Sequence, residues 1–346
     1  MTLARHLGAA VAAAIVIGVL TIKLGDYRDF QIAQVAAYVA AVAGLTVLIG
    51  TSGQISIGHG AFMAVGGYAT ALIFNHLHWN LILIFLAAAA VAALTGGIVG
   101  VAAARLRGPY LAGATLMLAV ALPSLADRYQ GVLGGDQGLS FFVSTPGFIG
   151  ASVSLARYQA WLAVIGALVT LVLLANLNCS RIGRSWRALR DDEVSAALAG
   201  LNVAWLRTLA FVVSAACAGI GGALLAVVTG TVSPGGYTLS LSILLLTAAV
   251  LGGLGSLPGA IWGASLVLVL AQTYLQNLAT SHGLSSSTSA SLAIIAYGVV
   301  LVLVMLVFPS GIQGGLRRLF GPTASAPYHQ MRRRWPAKQH QEEHTR

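Results

Sequence analysis

Residues 81–104 read LILIFLAAAAVAALTGGIVGVAAA, twenty-four residues without a charged side chain, closed by Arg105. At 1.5 Å per residue such a helix is about 36 Å long, enough to cross a hydrocarbon core of about 30 Å. Gly96 and Gly100 lie four apart and so share a face, where small side chains let helix backbones approach each other in a membrane. Working outward, further apolar runs lie near 7–22, 32–50, 60–75, 109–126, 159–177, 207–229, 240–255, 259–278 and 290–308. Together they predict an all-α, polytopic transmembrane helix bundle of about ten spans. The first run follows Arg5 and leads straight into Lys23 and Asp26 without a small-residue cleavage site, so it reads as a span and not as a signal peptide.

Composition agrees with this reading. Of 346 residues, 58% are hydrophobic and only 8% charged, whereas a soluble domain carries about 25% charged residues. A soluble enzyme, a disordered chain and a disulfide scaffold are thereby excluded. Cys179 and Cys217 are isolated and offer neither a disulfide framework nor metal spacing, so no cofactor or metal is expected.

The net charge of +10 would suggest nucleic acid in a soluble chain. In a membrane protein it marks cytoplasmic loops, and no nucleic-acid partner is expected. With ten spans and both termini inside, fifteen basic residues fall inside, among them Arg105, Arg107, Arg181, Arg184, Arg187, Arg190, Arg207 and seven of the tail. Four fall outside: Lys23, Arg28, Arg128 and Arg157. Residues 1–316 are read as the membrane domain, with a cytoplasmic loop at about 178–207. Residues 317–346 are read as a basic, disordered tail lying against anionic lipid head groups. The external segment 127–158, with Leu133-Gly134-Gly135-Asp136-Gln137-Gly138, reads as an ordered loop.

All nine acidic residues fall outside the expected spans. A pump or ion-coupled carrier needs an intramembrane charge, so a secondary transporter driven by an ion gradient is the weaker alternative. The chain also lacks a phosphate-binding Gly-x-x-x-x-Gly-Lys-Ser/Thr loop, so energy for uphill transport has to come from a partner. Gly50-Thr51-Ser52-Gly53 matches the pattern of an intramembrane serine protease, but no histidine is placed on another helix to face the serine, and no enzymatic activity is expected.

Three segments carry information. In Gly50 to Gly67, polar Gln54, Ser56 and His59 interrupt an apolar stretch. This is either a cytoplasmic turn between two spans or a re-entrant segment lining a path, because non-helical backbone at membrane depth needs protein or water to satisfy it. In the basic loop, residues 191–200 carry the marks of a short helix. Asp191, Asp192 and Glu193 stand at its start, Ala197 in its body and Gly200 at its stop. It is either a solvated connection or a docking helix. Third, Val250 to Ala264 is a Gly-rich hinge in which Gly255, Gly259 and Gly263 recur every four residues; it faintly resembles 53–67.

The ordered motifs resemble the membrane subunits of bacterial ABC importers for branched-chain amino acids, most closely the M-type subunit. They are Gly53-Gln54-Ile55-Ser56-x-Gly58-His59-x-Ala61-Phe62, Arg105-Leu106-Arg107-Gly108-x-Tyr110, Gly134-Gly135-x-x-Gly138-Leu139, Ile182-Gly183-Arg184, Ala188-x-Arg190-Asp191-Asp192-Glu193, and Val250-Leu251-Gly252-Gly253-x-Gly255-Ser256. The resemblance implies a multi-pass permease of the inner membrane for branched-chain or related amino acids, with urea a solute of some related subunits. It would work with a second permease subunit, two cytoplasmic ATPases and a periplasmic solute-binding protein. It also implies that Arg184, Arg190, Asp191, Asp192, Glu193, Ala197 and Gly200 belong to the loop that docks on an ATPase. From the residues alone, Gln54, Ser56 and His59 are expected to face a solute path together with Gln272 and Gln276, which lie four apart on one helix face. Helix–helix hydrogen bonding is the competing reading for the two glutamines.

Overall fold

A computed structural model describes residues 2–77, 79–106, 109–145, 153–268, 298–299, 302, 306 and 311–320. Its long helices are α1 (Thr2–Lys23), α2 (Asp26–Ser52), α3 (His59–Leu77), α4 (Leu81–Arg105) and α5 (Pro109–Arg128). After a short α6 (Gln130–Leu133) come α7 (Leu155–Cys179), α8 (Arg181–Asp191), α9 (Glu193–Leu198) and α10 (Val203–Thr229). The described chain continues with α11 (Leu239–Gly252), α12 (Leu257–Leu268) and α13 (Gly311–Phe320). Among the described residues seven helices are long and apolar enough to cross a membrane. This is a multi-pass, all-α membrane protein. Helix α13 is continuous across residues 316 and 317.

Helices α2 and α10 form the centre, each with 78% of its apolar window buried, against 6% for α1. Small residues make this possible. A Cβ on Gly222 of α10 would lie 1.8 Å from the Met63 carbonyl of α3, and one on Gly44 of α2 would lie 2.6 Å from Cys217 Cβ. Gly96 and Gly100 of α4 pack as their spacing predicts, against Ala215, Phe211 and Thr208 of α10. On α12, Gly259 and Gly263 pack on Gly252 and Ala248 of α11. Gly255 departs from the expected four-residue row: it precedes α12, has φ +81° and meets Gly50.

The bundle has two distinguishable ends. At one, strand β1 (Leu139–Ser140) pairs antiparallel with β2 (Thr231–Val232). The first half of the expected ordered loop is thereby tied down, and the Gly134, Gly135 and Gly138 backbones all take positive φ there. Asn75 Nδ2, near the end of α3, donates to Ser140 O at the same end. At the other end lie the C-terminus of α2, the arginine-rich α8, α9 and the start of α10. We call these the sheet end and the basic end.

Helix α2 begins six residues before its apolar run, and this takes Asp29 into the helix. Its carboxylate is fully buried, with Arg157 Nε of α7 3.5 Å away. Asp29 thus sits in the first turn of α2, at the sheet end, paired across helices with Arg157.

Candidate functional site

Helix α2 stops at Gly53, whose φ of 73° is left-handed, with its amide bonded to Ile49 O at 3.2 Å. The next helix starts at His59. His59 Nε2 lies 3.1 Å from the carbonyl of Ala41. Ala41 precedes Ser52 by eleven residues, so His59 is level with a point about 16 Å back along α2. Residues 53–58 therefore climb beside α2 as extended chain, which six residues can do with a reach of about 20 Å. Of the two readings left open by the sequence, this geometry is that of a re-entrant segment.

Hydroxyls from distant helices accept from one amide of this segment and from one in the first turn of α3. Ile57 N donates to Thr115 Oγ1 of α5 at 3.1 Å, and Gly60 N to Ser242 Oγ of α11 at 3.1 Å. Backbone amides at membrane depth need such acceptors. At Gly58 a Cβ would fall 1.8 Å from Thr115 O, so only glycine passes there.

The polar side chains of the segment point inward. Gln54, Ser56 and His59 are all buried. Gln54 Nε2 donates to Ser52 Oγ (3.0 Å) and to Arg207 O (3.3 Å). Gln54 Oε1, Ser56 Oγ and His59 Nδ1 have no hydrogen-bond partner among the described residues, and Thr46 Oγ1 and Ser214 Oγ on the flanking α2 and α10 share that state. Gln272 and Gln276 lie outside the described residues. An apolar crevice of about 490 Å³ runs between α1, α2, α7 and α12 past Ile17, Ile32, Val164 and Ile261; Gln54, Ser56 and His59 do not line it.

At the basic end the arginines serve as helix caps. Arg184 Nη1 donates to Cys179 O and Arg187 Nη1 to Asn178 O, at the C-terminus of α7. Arg190 donates to Gly50 O at the C-terminus of α2. Cations are favoured at helix C-termini, where carbonyls lack partners. Trp186 is fully buried and anchors α8 through Nε1 to Leu206 O at 2.9 Å.

The expected short helix exists as α9. Asp192 caps it, accepting from the amides of Val194 (2.9 Å) and Ser195 (3.1 Å), and from Ser195 Oγ (2.8 Å). The Ser195 hydroxyl, then the amides, hold the Asp192 carboxyl below its ordinary 3.8. Gly200, φ +85°, closes it: its amide bonds Ala197 O and that of Leu201 bonds Ala196 O. This is the glycine stop read from the sequence. Asp191 instead ends α8 and stays exposed. Glu193 pairs with Arg207 at 2.7 Å, and Ala197 is exposed. Sequence reasoning missed Val194 and Leu198, 69% and 85% exposed. Their i, i+4 spacing on one face was the available signal.

With the geometry in view, comparison with known proteins places the class. A sequence profile described as "Branched-chain amino acid transport system / permease component" matches residues 27–309, and the chain belongs to that family. It is 32% identical over 259 residues to the high-affinity branched-chain amino acid transport system permease protein LivM of Escherichia coli, covering 67% of this chain and 60% of that protein. The alignment with that relative thus leaves two fifths of its length unmatched. To the corresponding permease LivH of Salmonella typhimurium it is 28% identical over 295 residues, 81% of this chain and 92% of that protein. A probable LivM of Methanocaldococcus jannaschii is 26% identical over 268 residues, 73% of this chain and 76% of that protein. No solved structure matches the chain significantly.

Proposed function

We propose that this chain is the membrane-spanning permease subunit of an ABC importer that brings branched-chain or related amino acids across the bacterial inner membrane. The observation that carries the reading is the family match across residues 27–309. The named relatives are branched-chain amino acid permeases, in LivM and LivH forms, which supports pairing with a second permease. Two cytoplasmic ATPases supply the energy and a periplasmic binding protein supplies the solute. In this reading the basic end and both termini face the cytoplasm, the tail after residue 316 lies on lipid head groups, and α9 docks on an ATPase.

The 53–58 segment forms the moving wall of the path. Its unpartnered Gln54 Oε1, Ser56 Oγ and His59 Nδ1 gain partners, water or solute, when the wall opens, because a buried polar atom without a partner costs free energy. Gln272 and Gln276 complete that wall. The ammonium and carboxylate of a passing amino acid then meet neutral hydrogen-bonding groups, which do not trap it.

The test is uptake of radiolabelled leucine into vesicles bearing the full complex. Uptake that needs the ATPase subunits and ATP, and that persists with a protonophore present, supports the importer. Uptake that follows an ion gradient without ATPases overturns it in favour of a secondary carrier. For the sides, single cysteines at Asp136 and Arg187 should label from opposite faces; labelling from one face ends the orientation. For the path, cysteines at Ser56 and Gln272 that never react, in any state of the ATP cycle, remove these residues from it.

A further inference from the structure

The structure assigns Arg190 and Arg207 to a latch that ties α9 to the foot of the 53–58 segment, so that displacement of α9 is passed into that segment. The inference rests on the transport reading above and deepens it by naming the residues through which movement reaches the proposed path.

Helix α9 has six residues, too few to act as a lever unless its ends are held. Two routes out of it lead to residues 50–54. The first runs through Arg207. Its Nη2 pairs with Glu193 Oε2, the first residue of α9, at 2.7 Å, while its own carbonyl accepts Gln54 Nε2 at 3.3 Å. One residue thus joins the docking helix by its side chain and the re-entrant segment by its backbone. The two charged side chains are 14% and 29% exposed, so the pair is better shielded from water and salt than an open surface bridge.

The second route runs through Arg190. Asp192 follows the last residue of α8 as its C-cap and is the N-cap of α9, so the two short helices cannot reorient independently without losing that cap. Arg190, in the last turn of α8, donates to Gly50 O, and its Cγ lies 3.2 Å from where a Cβ on Gly53 would be. The guanidinium therefore sits over the carbonyl end of α2 at the point where the chain turns left-handed into the extended segment. Gln54 Nε2 also donates to Ser52 Oγ at 3.0 Å, so the amide bridges Arg207 to the last residue of α2, and a shift of Arg207 is felt where the segment begins. Trp186 holds the rest of α8 to Leu206 O and acts as the fulcrum.

The test places Ser56→Cys in a chain freed of Cys179 and Cys217, in native membranes, and follows its reaction with a small water-soluble thiol reagent. Arg190→Gln and Glu193→Ala are each expected to raise the rate about tenfold, the scale set by losing one hydrogen bond to a charged group. The double exchange Glu193→Arg with Arg207→Glu is expected to return the rate to that of the parent. Unchanged rates in both single variants overturn the latch, and so does an exchange that fails to restore the parent rate. In the assembled complex, Arg207→Gln, outside the expected docking residues, should lower leucine moved per ATP hydrolysed while the ATPase subunits stay bound; loss of those subunits makes Arg207 a docking contact and overturns the latch. The labelling arm needs no transport. If the unsubstituted complex shows no ATP-driven uptake, the transport reading fails, and the labelling rates still decide the latch.

Discussion

Two of the helix breaks at the basic end, those after α2 and after α11, touch: a Cβ on Gly50 would lie 2.0 Å from the nitrogen of Gly255. Both begin at a glycine with positive φ, Gly53 at 73° and Gly253 at 109°. From there they diverge. After Gly253 the chain turns within four residues, and α12 runs back against α11 with Gly259 on Gly252. After Gly53 it runs extended for six residues into the bundle before α3 begins. The second break satisfies itself, its Ser256 amide bonding Gly253 O and the Ala260 amide bonding Ser256 O. The first borrows Thr115 and Ser242 from α5 and α11. Similar glycine-rich sequences thus give a closed turn where local acceptors suffice, and a re-entrant segment where distant hydroxyls are on offer.

The largest effect should come where the two breaks meet. Gly50→Ala has no room against the Gly255 backbone and should cost more than about 3 kcal/mol, in the range of severe overpacking. Loss of folded protein on detergent size-exclusion chromatography is the expected result; a well-behaved variant would mean the breaks do not touch. Next, Thr115→Val and Ser242→Ala remove the borrowed acceptors from the first break alone. Each should cost about 1–3 kcal/mol, the penalty of an unsatisfied buried amide. Hydrogen exchange should rise at residues 57–61 and not at 253–260; equal changes at both would erase the distinction drawn here.

A smaller effect is expected at a third glycine stop that touches nothing. Gly200 has φ +85° and open space around a would-be Cβ, so Gly200→Ala carries only backbone strain, about 1 kcal/mol. Gly200→Val should exceed it, because β-branched residues tolerate positive φ poorly. Melting temperatures of the two variants rank these costs, and a reversed order would contradict the strain account. The smallest effect concerns pH. Asp192 has its folded pKa lowered below 3.8, chiefly by the Ser195 hydroxyl. Its contribution to α9 is therefore complete above 3.8 and lost as pH falls below that value through the lowered one. Exchange of the α9 amides, corrected for intrinsic rates, should rise only in that acidic window. Asp192→Asn should flatten the dependence.

Much of this arrangement was legible in the residues. The helix stop at Gly200, the first-turn acid at Glu193, and the small-residue faces at Gly96, Gly100, Gly259 and Gly263 all act within one helix turn, so spacing alone exposes them. The polar interruption at Gln54, Ser56 and His59 was also visible, but its path was not. Thr115 and Ser242 lie 58 and 182 residues from the amides they accept, and nothing local points to them. The exposed face of Val194 and Leu198 was missed because an apolar residue in a short helix reads first as core. The Asp29–Arg157 pair was not legible because Arg157 is brought to Asp29 by the packing of α7 on α2.

The sequence by itself determined that this chain lives in a membrane as helices, which end is basic, and that α9 stops at Gly200. Those outcomes follow from transfer free energy, helix rise and glycine dihedrals, all properties of neighbouring residues. Tertiary structure decided that residues 53–58 re-enter the bundle, that arginines of a surface loop cap the ends of α2 and α7, and that one of them meets the foot of the re-entrant segment. Each of these depends on hydrogen-bond acceptors and charges contributed from far along the chain. Whether a buried amide or guanidinium finds its partner is settled only when the helices that carry the partner have packed.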